Sequence, residues 1–192
     1  MLPMPTHPDL PLARTSTEAH LYMDLHPCEC GEGTFARDSA VVEVGDDLAS
    51  RYTGTCTSCG RPREFTFRIP DEVVLPRPGV VVFGDGTPSE LLDPGEWLWV
   101  ADRYAGAAPA DVAGLDESAR RTVRQQVASA AAAMDEVLAF VPADDEEVPP
   151  ESFTSELGRA VHDDEPGRFR RDRLEVVRDT YRGILAEVDG PR

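Results

Sequence analysis

A chain of 192 residues, 41% hydrophobic and 29% charged, has the balance of a globular protein of one domain plus a small appendage, which excludes wholesale disorder. Its net charge of −17, from 19 basic and 36 acidic residues, argues against broad electrostatic attachment to nucleic acid or to an anionic membrane, and it leaves room for a basic partner. Every basic residue is Arg, Lys and Asn are absent, and Ile occurs only at Ile69 and Ile184, a pattern that points to a GC-rich bacterial genome.

In chain order, residues 1–16 read as a flexible lead-in with prolines at Pro3, Pro5, Pro8 and Pro11. They contain no continuous apolar run that would serve as a signal-peptide core. From His20 to Leu25 the apolar residues Leu21, Met23 and Leu25 alternate with polar ones, which predicts a strand. A second strand is expected over Thr34–Val44, closed by a turn at Gly45-Asp46-Asp47, and a third over Leu48–Thr55. Phe65, Phe67 and Ile69 share one face of a last strand over Glu64–Ile69, which Pro70 ends. Residues 17–70 are thus expected to form an antiparallel β-meander with a cysteine pair at each end.

Residues 71–92 read as a Pro- and Gly-rich connector holding one apolar run, Val80–Phe83, either an extra strand or a packed loop. From residue 93 the period becomes helical. Asp93-Pro94-Gly95-Glu96 offers an N-cap, a proline at the first helical position and a glutamate at the third. A helix should run from there to Ala105. Trp97 and Trp99 are two apart on it, so one belongs to the core and the other is exposed or packed against the β module. Asp116 or Ser118 starts a long helix whose apolar stripe runs from Ala119 through Val127 and Met134 to Val141, before Pro142. Ser152 or Thr154 caps a short helix through Val161, and Arg170–Val188 forms the last one. The expected fold class is α+β, an N-terminal β-meander followed by an acidic bundle of about four helices over residues 93–192. The acidity sits in the helical part: residues 1–70 carry a net −4 and residues 71–192 a net −13.

No stretch approaches the roughly 18 apolar residues that span a bilayer, so the expected location is the cytoplasm. In that compartment four cysteines are expected to be metal ligands rather than disulfides. Their pattern is Cys28-Glu29-Cys30-Gly31, then 25 intervening residues counted from Cys30, then Cys56-Thr57-Ser58-Cys59-Gly60. Zinc takes four thiolates in a tetrahedron from two chain segments, and a glycine after each pair permits the positive φ that turns backbone N–H groups toward sulfur.

This arrangement resembles a zinc ribbon over residues 20–70, with Cys28, Cys30, Cys56 and Cys59 as the implied ligands of a structural Zn2+. It departs from that pattern in the first turn, which has one spacer residue where the family usually has two. His26 is therefore an alternative to Cys28. Iron suits a four-thiolate site as well, and a disulfide, free-thiol or redox role stays open. Four thiolates close the shell, whereas a hydrolytic zinc keeps an open position.

The remaining motifs favour surface roles. His7, His20 and His162 read as surface histidines. Phe83-Gly84-Asp85-Gly86-Thr87 lacks the lysine and spacing of a phosphate loop and reads as a turn. Arg168-Phe169-Arg170-Arg171-Asp172-Arg173 is the one basic cluster. It either grips phosphate or, as Arg171 with Glu175 and Arg170 and Arg173 with Asp163-Asp164-Glu165, forms a solvated ionic network. Asp144–Glu147 reads as a solvated acidic loop.

Three functions follow. One is a non-catalytic, zinc-stabilised cytoplasmic binding protein with a basic protein partner. By size, acidity and lack of a catalytic constellation, the whole chain is similar in character to small immunity proteins encoded beside bacterial toxins, which implies neutralisation of a basic toxin. The second is a zinc-ribbon nucleic-acid- or transcription-associated factor, against which the charge counts. The third is an enzyme with a site in the helical half or between the halves, for which no pair of acids stands out. No catalytic residue is assigned.

Overall fold

The first regular element corrects an expectation: His20–Leu25 is not a strand but part of helix α1, Ser16–Leu25. Thr15 decides the matter. It is extended, and its hydroxyl accepts the Glu18 N–H at 3.1 Å, an N-cap that starts the helix ahead of the alternating residues. The buried residues Ala19 and Met23 lie four apart, on one helical stripe. Met23 belongs to both periods, so the alternation alone is ambiguous.

The computed structural model describes residues 10–72, 79–109 and 114–189. The chain divides into two compact units, Met1–Val74 and Leu75–Arg192. The architecture is α+β.

In the first unit, β1 (Asp38–Val44), β2 (Asp47–Thr55) and β3 (Pro62–Arg68) form an antiparallel sheet in the order β1-β2-β3. Val44 opposes Asp47 across the Gly45-Asp46 turn, where Gly45 has φ +64°. Tyr52 opposes Phe65, and Ser50 opposes Phe67. One face is thereby aromatic, and α1 covers it. The Tyr22 ring meets Phe65 and Phe67 edge-on at 6.2 and 5.5 Å, and His20 meets Tyr52 edge-on at 5.3 Å.

The far edge of β3 is paired too. Arg68 N–H donates to the Pro11 carbonyl at 3.0 Å, and Ala13 N–H donates to the Arg68 carbonyl at 3.1 Å, so residues 11–13 run parallel to β3. Residues 1–9 of the expected lead-in lie outside the described residues. Arg14, next in the chain, is 3% exposed and pairs with the fully buried Glu18. Its Nη2 and Nε donate to Glu18 Oε1 at 2.5 and 3.1 Å, and its backbone N–H donates to Oε2 at 2.8 Å.

The second unit contains α2 (Pro94–Ala107), α3 (Glu117–Ala139), α4 (Glu156–Asp164) and α5 (Arg171–Asp189), with short 3-10 helices at Pro150–Ser152 and Pro166–Phe169. Helix α3 packs against both α2 and α5, and α2 packs against α4. Asp93 and Asp116 are the expected N-caps of α2 and α3. The cap of α4 is Ser155, because Ser152 is taken up in the preceding 3-10 helix. Trp97 is fully buried, its ring 5.1 Å from Phe83, while Trp99 is half-buried beneath the Arg103 guanidinium at 5.2 Å. Val80–Phe83 forms no strand; Phe83 turns inward and Val80 outward. Ala130, Ala133, Met134 and Val137 are the buried seam of α3, and burying one side chain of the Met134 kind contributes about 1.5–3 kcal/mol.

Candidate metal centre

Two turns of the first unit bring the four cysteines together. In the first, Gly31 N–H donates to the Cys28 carbonyl at 2.7 Å and Cys28 N–H to the Glu32 carbonyl at 2.8 Å. In the second, Gly60 N–H donates to the Cys56 carbonyl at 2.9 Å and Cys56 N–H to the Arg61 carbonyl at 2.8 Å. Each turn closes on its glycine, with φ +88° at Gly31 and +72° at Gly60. The first closes over one residue fewer than the second. That is the structural meaning of the single spacer between Cys28 and Cys30: the turn tightens, and both sulfurs still face the same point.

The surrounding chain holds the turns in register. Phe35 pairs with Cys56 in an isolated antiparallel bridge, and the Thr57 hydroxyl donates to the Thr34 carbonyl at 3.1 Å. Gly54 allows this crossing, since a Cβ there would lie 1.9 Å from the Ala36 carbonyl oxygen. The Arg63 guanidinium stacks over Phe35 and Phe65, at 5.1 and 5.0 Å from their centroids, and donates to the His26 carbonyl. Arg61 pairs with Glu29, which joins the two turns at the surface.

All four Sγ atoms lie within 4.8 Å of one another. Cys28 and Cys59 approach at 3.6 Å, and Cys30 and Cys56 at 3.5 Å. These distances are far longer than a disulfide of about 2.05 Å. They match the edge of about 3.8 Å expected for four sulfurs, each about 2.3 Å from a central zinc. Cys28 and Cys56 are buried, whereas Cys30 and Cys59 are exposed. Among the described residues this is the one group of His, Cys, Asp and Glu side chains placed to share an ion.

The electrostatics favour a cation. The Cys56 thiol is drawn down to about 6, first by the Cys59 backbone N–H and then by Ser58 N–H and the Cys30 and Cys59 thiols, against desolvation. For Cys59 the Arg61 amide acts downward, but desolvation and the three neighbouring sulfurs outweigh it and push the thiol up to about 12. Four thiols this close cannot all ionise unless a central ion compensates their charge. The donor set therefore fits a four-thiolate metal ion such as zinc.

The other residues singled out by sequence lie elsewhere. His26 is turned away from the sulfurs: its ring stacks on Tyr22 at 3.8 Å, and Nδ1 lies 2.8 Å from the Tyr22 carbonyl oxygen. Cys28 thus keeps its place in the cluster. His162 is half-buried between Phe153 and Phe169, at 4.3 and 5.6 Å. The basic cluster is internally engaged. Arg168 grips Asp102 through two bonds of 2.8 and 2.6 Å, and Arg173 pairs with Glu165 at 2.6 Å. Arg171 donates to the Val141 and Pro142 carbonyls beyond α3 at 3.3 and 2.6 Å, a role its spacing from Glu175 does not suggest. Thr87 N–H donates to Asp85 Oδ1 at 3.0 Å, which makes the glycine-flanked segment a turn. Comparisons with protein-family models, with curated proteins and with solved structures find no match.

Proposed function

We propose that this chain is a zinc-braced, non-catalytic binding protein of the bacterial cytoplasm, with Cys28, Cys30, Cys56 and Cys59 as the ligands of one structural Zn2+. The observation that carries this reading is the meeting of four sulfurs within 4.8 Å on two glycine-closed turns. Zinc bound there would supply the positive charge that lets all four sulfurs ionise. The residues do the rest: the Ser58, Cys59 and Arg61 N–H groups hold the sulfurs of the second turn, and four protein ligands complete the shell, with no position left for a reacting water. A meander of this size has little core of its own, and a metal tie between its ends offsets that deficit.

The binding surface is the acidic helical unit. Arg124, Arg168, Arg173 and Arg182 are engaged with Asp189, Asp102, Glu165 and Asp135 inside it. Asp144, Glu147, Glu151, Glu156, Asp163 and Asp164 face solvent. Such a surface suits a basic protein, and a toxin neutralised by its co-encoded immunity protein is the partner of that kind we favour. Among the described residues no helix is long and apolar enough to cross a membrane. The test is elemental mass spectrometry on protein purified without chelator, together with a salt titration of any co-purified complex. One zinc per chain and an affinity that falls with salt support the reading. A metal-free chain, or a partner indifferent to salt, overturns the corresponding half of it.

A further inference from the structure

The four sulfurs are not equivalent, and their inequality has a pattern. Exposed Cys59 lies 3.6 Å from buried Cys28, and exposed Cys30 lies 3.5 Å from buried Cys56. Each close pair joins one turn to the other, and each combines a cysteine exposed to solvent with a buried one. Oxidation of thiolates by peroxide needs these two positions: an accessible thiolate that attacks the peroxide and a neighbouring sulfur that resolves the sulfenic acid.

We propose that the cluster is an oxidation site in which two crossed disulfides, Cys28–Cys59 and Cys30–Cys56, replace the metal as the brace of the meander. The proposal rests on the zinc reading above. In each pair the exposed thiolate attacks a peroxide oxygen, the O–O bond breaks, and a sulfenic acid and hydroxide form. The buried thiolate then attacks the sulfenic sulfur, the S–S bond forms, and a second hydroxide leaves. Per pair, two thiolates lose two electrons and one hydrogen peroxide gains them. The whole site consumes two peroxides, yields two disulfides and four hydroxides, and releases Zn2+, so charge balances at −2 on both sides. A thiol reductant reverses the step and restores the metal-binding form.

The geometry explains why the fold survives the exchange. Each pair has to close by only about 1.5 Å to reach disulfide length. The pairs link positions 31 and 26 residues apart, so each tie still closes a long loop across the meander, as the metal does. Bonds within a turn, Cys28 to Cys30 or Cys56 to Cys59, would leave the two turns untied from each other.

The test uses the full-length protein as purified. Zinc content is measured first; a metal-free chain refutes the zinc reading and is recognised before any oxidant is added. The zinc-loaded chain is then titrated with hydrogen peroxide, with released zinc followed by a colorimetric chelator and disulfides mapped by peptide mass spectrometry. The expected result is complete release at about two peroxides per zinc, with Cys28–Cys59 and Cys30–Cys56 as the mapped pairs and a far-UV spectrum that keeps its β signal. Chelator alone, without oxidant, should abolish that signal. Pairs within a turn, sulfinic acids in place of disulfides, or zinc retained at a tenfold excess of peroxide would each overturn the proposal.

Discussion

Gly95, in the first turn of α2, and Gly158, in the first turn of α4, stand backbone to backbone: a Cβ on Gly95 would lie 2.3 Å from the Gly158 carbonyl oxygen. A Cβ on Gly158 would in turn lie 2.0 Å from Asp93 Oδ1. Asp93 cannot yield, because backbone N–H groups from two helix starts hold its carboxylate. Gly158→Ala should therefore destabilise the helical unit by about 3 kcal/mol, whereas Gly183→Ala in α5, where no atom lies within 4 Å, should stabilise it by roughly 0.5–1 kcal/mol. Urea unfolding followed by the fluorescence of buried Trp97 measures both, and equal effects at the two positions would contradict the close approach.

With one carboxylate Asp93 caps α2 and anchors the segment that leads into α4. Oδ1 accepts from Gly95 and Glu96 N–H at 2.9 and 3.0 Å, and Oδ2 from Thr154 and Ser155 N–H at 2.9 and 2.7 Å. Asp93→Ala leaves both sets unsatisfied and should cost about 2–4 kcal/mol, one helix cap plus the acceptor of two further backbone N–H groups. Asp93→Asn is informative because it keeps one acceptor and turns an NH2 group toward two donors. It should cost about 1–3 kcal/mol, with faster amide exchange confined to one of the two helix starts.

Arg14 and Glu18 form a buried ion pair at the start of α1, 3% and 0% exposed. Removing one charge strands the other, so Glu18→Gln or Arg14→Met alone should cost about 3–5 kcal/mol. The double variant Arg14→Met, Glu18→Leu should recover most of that loss, since an apolar pair removes both desolvation costs. A double-mutant cycle on urea midpoints decides it; additive losses would show that the pair is not energetically coupled.

The parts legible in sequence are those where one local signal has one structural outcome. The Asp93-Pro94-Gly95-Glu96 run is a helix start whatever surrounds it, and the glycine after each cysteine pair marks a turn that faces sulfur inward. The second partner of Asp93 was hidden, because Thr154 and Ser155 reach it only when α4 packs on α2. The strand expected at His20–Leu25 failed for a related reason. Its alternation was genuine, but Thr15 and Glu18 already formed a cap that sets the period at 3.6, and Ala19 with Met23 supplied the buried stripe. Arg171 illustrates the same limit: its spacing from Glu175 suggests an ion pair, and the fold instead aims it at the carbonyls beyond α3.

His20 gives a pH-dependent readout of the α1–sheet contact. Burial lowers its pKa below the ordinary 6.5, and the Arg37 guanidinium adds to the shift, with Asp24 opposing. The folded protein therefore holds the ring neutral more strongly than the unfolded chain does. Stability is undiminished above about 6.5 and declines as pH falls from there to the lower folded value, because the unfolded chain takes up the proton first. An NMR titration of the His20 ring should show a midpoint below 6.5, and Arg37→Met should move it partway back. A midpoint unchanged by that substitution would assign the whole shift to burial.

Cys56→Ser tests whether the four sulfurs act as one tie. Cys56 is the buried cysteine of the second turn; its N–H donates to the Arg61 carbonyl, its carbonyl accepts from Gly60 N–H, and it stands opposite Phe35 in the isolated bridge. A serine hydroxyl keeps that backbone geometry but is a poor zinc ligand, so the metal is lost while the local turn remains permitted. Zinc content should fall from one per chain to well below half. Amide exchange in β1–β3 should rise by at least about tenfold, because metal affinity and folding of the meander are one equilibrium. Cys30→Ser, at an exposed position of the cluster, should lose metal affinity in the same direction with a smaller effect on exchange. Full zinc occupancy in Cys56→Ser, with unchanged protection of the strands, would mean that the sulfurs meet for a reason other than a shared ion.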